Sequence, residues 1–349
     1  MPRLTAAAIA IAASSVAVLA QPASTLGPLT PPAGPISGTG PSLAEVSPRL
    51  PVNNTNTPAG AGLDSLFTIS SPGSYVLTSN ITVPPGQIGI VINSDDVSID
   101  LNGFTISGTG PDSGSTGIAA VPGDRSQSNT GLLIHNGFIA DVGTAIDLKR
   151  DFVGNFFVTT SGVEAGTISD LAITGCKTGI DAERIGVSGC VIAVSEIGIE
   201  TTEANVERCS VQVVGAEARF GIRVGFGTVR ECQVRFEFSE VNATGISVTQ
   251  GSVFDSHAMM QSLASSTGIA VRNGVASNCA ATLPFAIANP HNGFRVLTGA
   301  AIGCVVTGFN VGFSFSEGAT IQNCSVFEVA APTQQFGFPI APTLINNNF

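Results

Sequence analysis

Tryptophan is absent from the 349 residues and Tyr75 is the only tyrosine, so the amphipathic rings that most often build binding platforms are missing. Charge is scarce as well: Lys, Arg, Asp and Glu make up 11% of the chain, and only Lys149 and Lys177 among its fourteen cations are lysines. A net charge of −11 repels a polyphosphate backbone, which excludes nucleic acid as a partner. No run carries apolar residues at 3.6-residue spacing for long enough to make a helix, which argues against helical and leucine-rich repeats. Beyond residue 20 no apolar stretch is long enough to span a bilayer.

What is present is apolar and full of turns. Hydrophobic residues reach 43%, enough for a sizeable core, and the 41 glycines and 20 prolines show no three-residue period, which excludes collagen. Arg3, the apolar stretch from Leu4 to Leu19, and Val18-Leu19-Ala20 before Gln21 read as a signal peptide over 1–20. The chain is therefore expected to be secreted, at the cell surface or periplasmic, with no membrane span after cleavage. Prolines crowd residues 21–62 without hydrophobic periodicity, as in a disordered Pro/Gly-rich linker. The folded domain is expected over 63–349.

A repeat runs through that domain. Gly-Ile or a close variant recurs at Gly89-Ile90, Gly117-Ile118, Ala145-Ile146, Gly179-Ile180, Gly198-Ile199, Gly221-Ile222, Gly245-Ile246, Gly268-Ile269, Gly293-Phe294, Gly312-Phe313 and Gly337-Phe338. From Gly179 the anchors are 19, 23, 24, 23, 25, 19 and 25 residues apart, the size of a solenoid unit. Within a unit, runs such as VERCSVQV (206–213) and VRECQVRF (229–236) alternate with period two, which makes them strands. Strands and turns at this period predict an all-β parallel β-helix of about ten to eleven coils.

The cysteines fix the register. Cys190, Cys209, Cys232, Cys279 and Cys304 each fall eleven residues after an anchor, Cys324 is shifted by one, and Ser256 fills the rung left between Cys232 and Cys279. In a parallel stack these side chains lie roughly 4.8 Å apart in one column, beyond the roughly 3.5–4.5 Å between bridged Cβ atoms. The ladder is therefore expected to hold buried, free thiols, with Cys176 off it and its state open.

FTISSPGSYVLTSNITVP (67–84), IGIVINSDDVSIDLNGFTISG (88–108) and the rungs Asn278-Cys279 and Asn323-Cys324 resemble the pectin lyase-like right-handed parallel β-helix superfamily. The secreted bacterial β-helix repeat proteins are the nearest likeness within it. The resemblance covers about 63–349 and implies three parallel sheets per coil. In the family's enzymes it implies a site on the outer face of one sheet beside protruding loops. Its lyases hold Ca²⁺ with acidic residues against a uronate and use an Arg or Lys as base. Its hydrolases use clustered Asp with Gly-His-Gly and Arg-x-Lys motifs, both of which this chain lacks.

Candidate chemistry is correspondingly thin. His135, His257 and His291 stand in no shared motif and read as solvated or turn residues; Asp95-Asp96, Asp100 and Asn102 read as turn and ladder residues. The position two after each anchor should point outward, giving the column Asp147, Asp181, Glu200, Arg223, Ser247, Ala270, Arg295 and Ser314. Stacked carboxylates call for solvent or a cation, and calcium suits such oxygen ligands, so Asp147, Asp181 and Glu200 are the metal candidates. The same three with Arg223 are the catalytic candidates. Thirteen charged residues crowd 196–240, where Glu207 should align with Arg230 and Arg208 with Glu231. The insertion 149–166 adds Phe152, Phe156 and Phe157. Two functions stay open: a non-catalytic exported β-helix binding polysaccharide or another cell-envelope component through a rigid face, or a polysaccharide lyase or glycoside hydrolase acting on an acidic polysaccharide.

Overall fold

Period-two alternation becomes strand throughout the repeat. The computed structural model describes residues 49–60, 64–120, 130–149, 165–237, 239–261, 264–284, 291–316, 318–327, 331–335, 343–345 and 347, all within the unit Ser47–Phe349. The expected signal peptide, the linker up to residue 48 and Phe152, Phe156 and Phe157 lie outside the described residues. Among the described residues no helix forms, and every strand pairing is parallel, in a stack of about ten turns. This is a parallel β-helix, as the repeat predicts.

Each coil presents three faces. The long strand Gly166–Ala182 shows how: residues 166–169 pair with 132–135, residues 171–174 with 137–140, and residues 178–182 with 144–148. We call the anchor face the first sheet; the chain passes from it to the second sheet, then to the third, then to the first sheet of the next coil. Ile90, Ile118, Ile146, Ile180, Ile199, Ile222, Ile246, Ile269, Phe294 and Phe313 stack in one continuous fully buried column. The two terminal rings of that column stack with centroids 5.3 Å apart. Glycine precedes these residues because backbones meet there: a Cβ at Gly198 would lie 2.4 Å from the Gly221 carbonyl oxygen and one at Gly221 2.6 Å from that of Gly245.

The corner between second and third sheets is a single left-handed residue repeated down the stack: Asn102, Asn136, Asp170, Gly189, Arg208, Glu231, Asp255, Asn278, Gly303 and Asn323, with φ from 48° to 63°. Asn, Asp and Gly adopt this conformation at least cost, and they fill all rungs but two. From Gly189 onward the next residue turns inward and is the predicted ladder, Cys190, Cys209, Cys232, Ser256, Cys279, Cys304 and Cys324, every member buried and every cysteine free.

The thiols also satisfy polar groups. Sγ of Cys209, Cys232, Cys279, Cys304 and Cys324 each donates to the carbonyl two residues earlier, at 3.1–3.4 Å, and Ser256 Oγ repeats the contact at 2.7 Å. Cys176 makes the same bond to the Thr174 carbonyl at 3.4 Å, one residue after the left-handed Gly175 of the corner leading back to the first sheet.

The N-terminal boundary differs from the sequence reading. Residues 49–60, assigned by composition to the linker, join the solenoid: Leu50–Pro51 pairs with Tyr75–Val76, Val52 is buried, and Thr57 closes a turn on Asn53. A proline is tolerated in that strand because, among the described residues, it lies at the end of the stack with a partner on one side only.

Candidate functional site

The outward column of the first sheet forms in the predicted register: Asp147 beside Asp181, Asp181 beside Glu200, Glu200 beside Arg223, then Ser247, Ala270, Arg295 and Ser314, the last of which is buried. Asp181, Glu200 and Arg223 are paired within the protein. Lys149 Nζ lies 2.5 Å from Asp181 Oδ2 and 3.4 Å from Glu200 Oε2, and Arg223 Nη1 donates to Glu200 Oε1 at 3.1 Å while its guanidinium sits 4.9 Å above the Phe220 ring. The Asp147 carboxylate accepts from the Lys149 backbone N–H at 3.3 Å.

The Lys149 ammonium supplies the positive charge that a divalent cation would bring between Asp181 and Glu200, and among the described residues no group of three or more His, Cys, Asp or Glu is placed to hold a metal ion. One acceptor is left over: Asp181 Oδ1 is buried without a hydrogen-bond partner. A single orphan oxygen beside an ammonium is far from the roughly six to eight oxygens that calcium takes. Lys149 is the residue that sequence reasoning missed. It lies two residues after Asp147 and one past the end of the strand Thr144–Leu148, a signal obscured because it was read as the first residue of the insertion.

The other candidates take structural places. Asp100, almost fully buried, accepts from the Asn102 N–H at 2.7 Å and the Asn136 amide at 2.9 Å and pairs with Arg49 at 2.5 Å. Burial acts to raise its pKa, but the bonds from Asn102 and Asn136 and the charges of His135 and Arg49 outweigh it and hold the carboxyl below its ordinary value. Asp95 accepts from the Thr130 N–H, and Asp96 takes a left-handed turn conformation. His257 Nε2 shares a hydrogen bond with Thr282 Oγ1 at 3.0 Å.

His291 departs from the solvated reading. It is fully buried, its Nδ1 is 2.7 Å from Ser266 Oγ, and its Nε2 has no partner. Stacking of the anchor strands carries it inward with Ser266.

The charged belt is aligned as expected, with Glu207 beside Arg230, yet its ion pairs form elsewhere. Arg184 meets Glu203 at 3.1 Å, Lys177 and Arg219 both reach Glu196 at 3.5 Å, and Arg235 meets Glu237 at 2.7 Å. Arg208 and Glu231 sit at the exposed left-handed corner, and Arg230 lies over the Phe254 ring at 5.4 Å instead.

No family model and no curated protein matches the chain. Two solved structures are similar to it, both mannuronan C-5 epimerase A-modules of Azotobacter vinelandii. The AlgE6 module is 9% identical, with 82% of this chain and 91% of that one covered and a TM-score of 0.39. The AlgE4 module is 12% identical, with 82% and 87% covered and a TM-score of 0.32. At that distance no residue's role is carried across.

Proposed function

We propose that the chain is an exported β-helix that binds glycans or other cell-envelope components through its rigid outer faces without turning them over. One observation carries this reading: where a catalytic constellation was expected, Asp181, Glu200 and Arg223 are drawn with Lys149 into a chain of ion pairs. A general acid and base need carboxyls whose environments push their protonation apart, and a lyase needs a lysine or arginine able to give up its own proton and act as base. Here the cations are spent on neighbouring carboxylates. A parallel stack with fixed rung spacing is, by contrast, well suited to repeated contacts with a polymer.

The test is to offer the secreted protein a panel of neutral and acidic polysaccharides, measuring retention by affinity electrophoresis, reducing ends, and the ultraviolet absorbance of unsaturated products. Retention without product formation is the expected result. Sustained release of reducing ends or unsaturated uronates, abolished by Asp181→Asn, overturns it in favour of a polysaccharide lyase or hydrolase.

A further inference from the structure

The third sheet carries a feature that the acidic column does not share. Strands Ser210–Val214, Gln233–Glu237 and His257–Met259 stack in register, so that Ser210, Gln233 and His257 form one outward column and Gln212, Arg235 and Met259 the next. A hollow of about 330 Å³ opens over them, with the buried Val211 and Val234 as its floor. Arg235, the cation that lines it, is paired just beyond its edge, with Nε 2.7 Å from Glu237 Oε1. Burial lowers the His257 pKa, so the imidazole is neutral at pH 7.

Beside Arg235 and Met259, what faces the hollow is two primary amides and a hydroxyl, each able both to donate and to accept, and a neutral imidazole whose Nε2 is shared with Thr282. An ionic ligand finds no net countercharge there, and an apolar one would strand the amides. Ligand hydroxyls answer all of these groups at once. The pattern also repeats from rung to rung at roughly 4.8 Å, close to the length of one pyranose unit in an extended chain.

The same column continues past the hollow as exposed apolar surface. Ser210 is followed by Val191, 59% exposed, then Ala172, then Phe138, 48% exposed. Large apolar side chains standing free on a solvated face suit the C–H faces of sugar rings.

We infer that the third sheet binds a neutral glycan chain laid along the solenoid axis, with its hydroxyls on Ser210, Gln212, Gln233 and His257 and its apolar ring faces toward Val191 and Phe138. This rests on the glycan-binding reading above and adds to it a face and a ligand class.

The experiment is isothermal titration of the full chain with cello-, manno-, xylo- and maltohexaose and with hexagalacturonate, at low and high salt. The comparison is among wild type, Gln212→Leu/Gln233→Leu, and a first-sheet control, Arg272→Ala/Arg295→Ala. Binding of at least one neutral hexaose is expected, insensitive to salt, weakened roughly tenfold or more by the leucine pair at unchanged melting temperature, and unaffected by the arginine pair. Should the leucine pair fail to fold, Gln233→Arg fills the same hollow and must weaken binding likewise. Neutral-glycan binding untouched by these third-sheet changes overturns the inference, as does binding confined to hexagalacturonate and lost with the arginine pair; either outcome leaves the glycan-binding reading standing. Failure of wild type to bind any of the five overturns the inference and, with it, the glycan part of the reading above.

Discussion

Each ladder thiol is fixed by the residue before it. The left-handed corner turns the next side chain inward, where a small donor is needed for the carbonyl two residues back, and cysteine supplies a weak donor with an apolar body. Serine supplies the stronger donor at Ser256, whose Oγ also accepts from the Cys232 N–H at 3.1 Å. Contact with the Cys209 thiol and burial together push Cys190 and Cys232 up, contacts with Cys279 and Cys324 and burial do the same for Cys304, and burial pushes Cys176 up to about 11. The same thiol–thiol contacts lower Cys209, Cys279 and Cys324, so burial, and not a common rise in pKa, keeps the ladder out of a reagent's reach. The native protein should give no reaction with an aromatic disulfide reagent at pH 8, and the unfolded, unreduced protein should give all seven thiols. Three disulfides in that unfolded sample would end the ladder account.

At the scale of the strand and its corner, register was legible because every coil repeats the same buried column, so spacing alone located the anchors, the cysteines and the outward Asp147-to-Ser314 line. Side-chain partners were less so. Nothing in spacing says that the Lys149 ammonium will reach two carboxylates on successive rungs, or that Arg230 will cover Phe254 in preference to Glu207. Nor does a lone histidine announce that stacking will bury it, as at His291. The left-handed corner lay hidden for a related reason: Arg208 and Glu231 interrupt an otherwise Asn, Asp and Gly column. Those two rungs carry strain, so Glu231→Asn should raise stability by about 1 kcal/mol in urea unfolding, whereas Asn278→Glu should lower it by a similar amount. Equal midpoints for all three proteins would remove the corner argument.

The Asp100 corner gives the element a pH signature. Its carboxyl is held below the ordinary value in the folded state, so the stability it contributes is fully present above the unfolded-chain pKa, about 4, and is lost as pH falls through the folded value. Asp100→Asn keeps an oxygen for Asn102 and Asn136 but removes the charge and turns an N–H donor toward Arg49, and should cost about 1–3 kcal/mol at pH 7. That deficit should shrink as pH falls below 4, because the wild-type carboxyl is then also uncharged. A deficit that stays constant from pH 7 to pH 3 would assign the loss to packing.

For the whole solenoid the weak points are its ends, because a parallel stack leaves a row of unpaired backbone donors and acceptors wherever it stops. At the N-terminal end that row belongs to the strand Gly73–Val76, and residues 49–60 cover it. Leu50 and Pro51 pair with Tyr75 and Val76, the Val52 N–H donates to the Val76 carbonyl at 3.0 Å, and Arg49 reaches across to Asp100 on the next rung. Pro51 makes the covering strand a poor template for a further one, since proline has no N–H to offer. A chain begun at Asp64 would keep every anchor and every cysteine but expose Tyr75, which is now 2% accessible, together with that edge. It should fold with a lowered melting temperature and associate with rising concentration in analytical ultracentrifugation. A chain begun at Ser47 should match the full chain in both measurements. If the Asp64 chain sediments as a monomer with an unchanged melting temperature, residues 49–60 do not protect the end, and the boundary belongs where composition alone had put it.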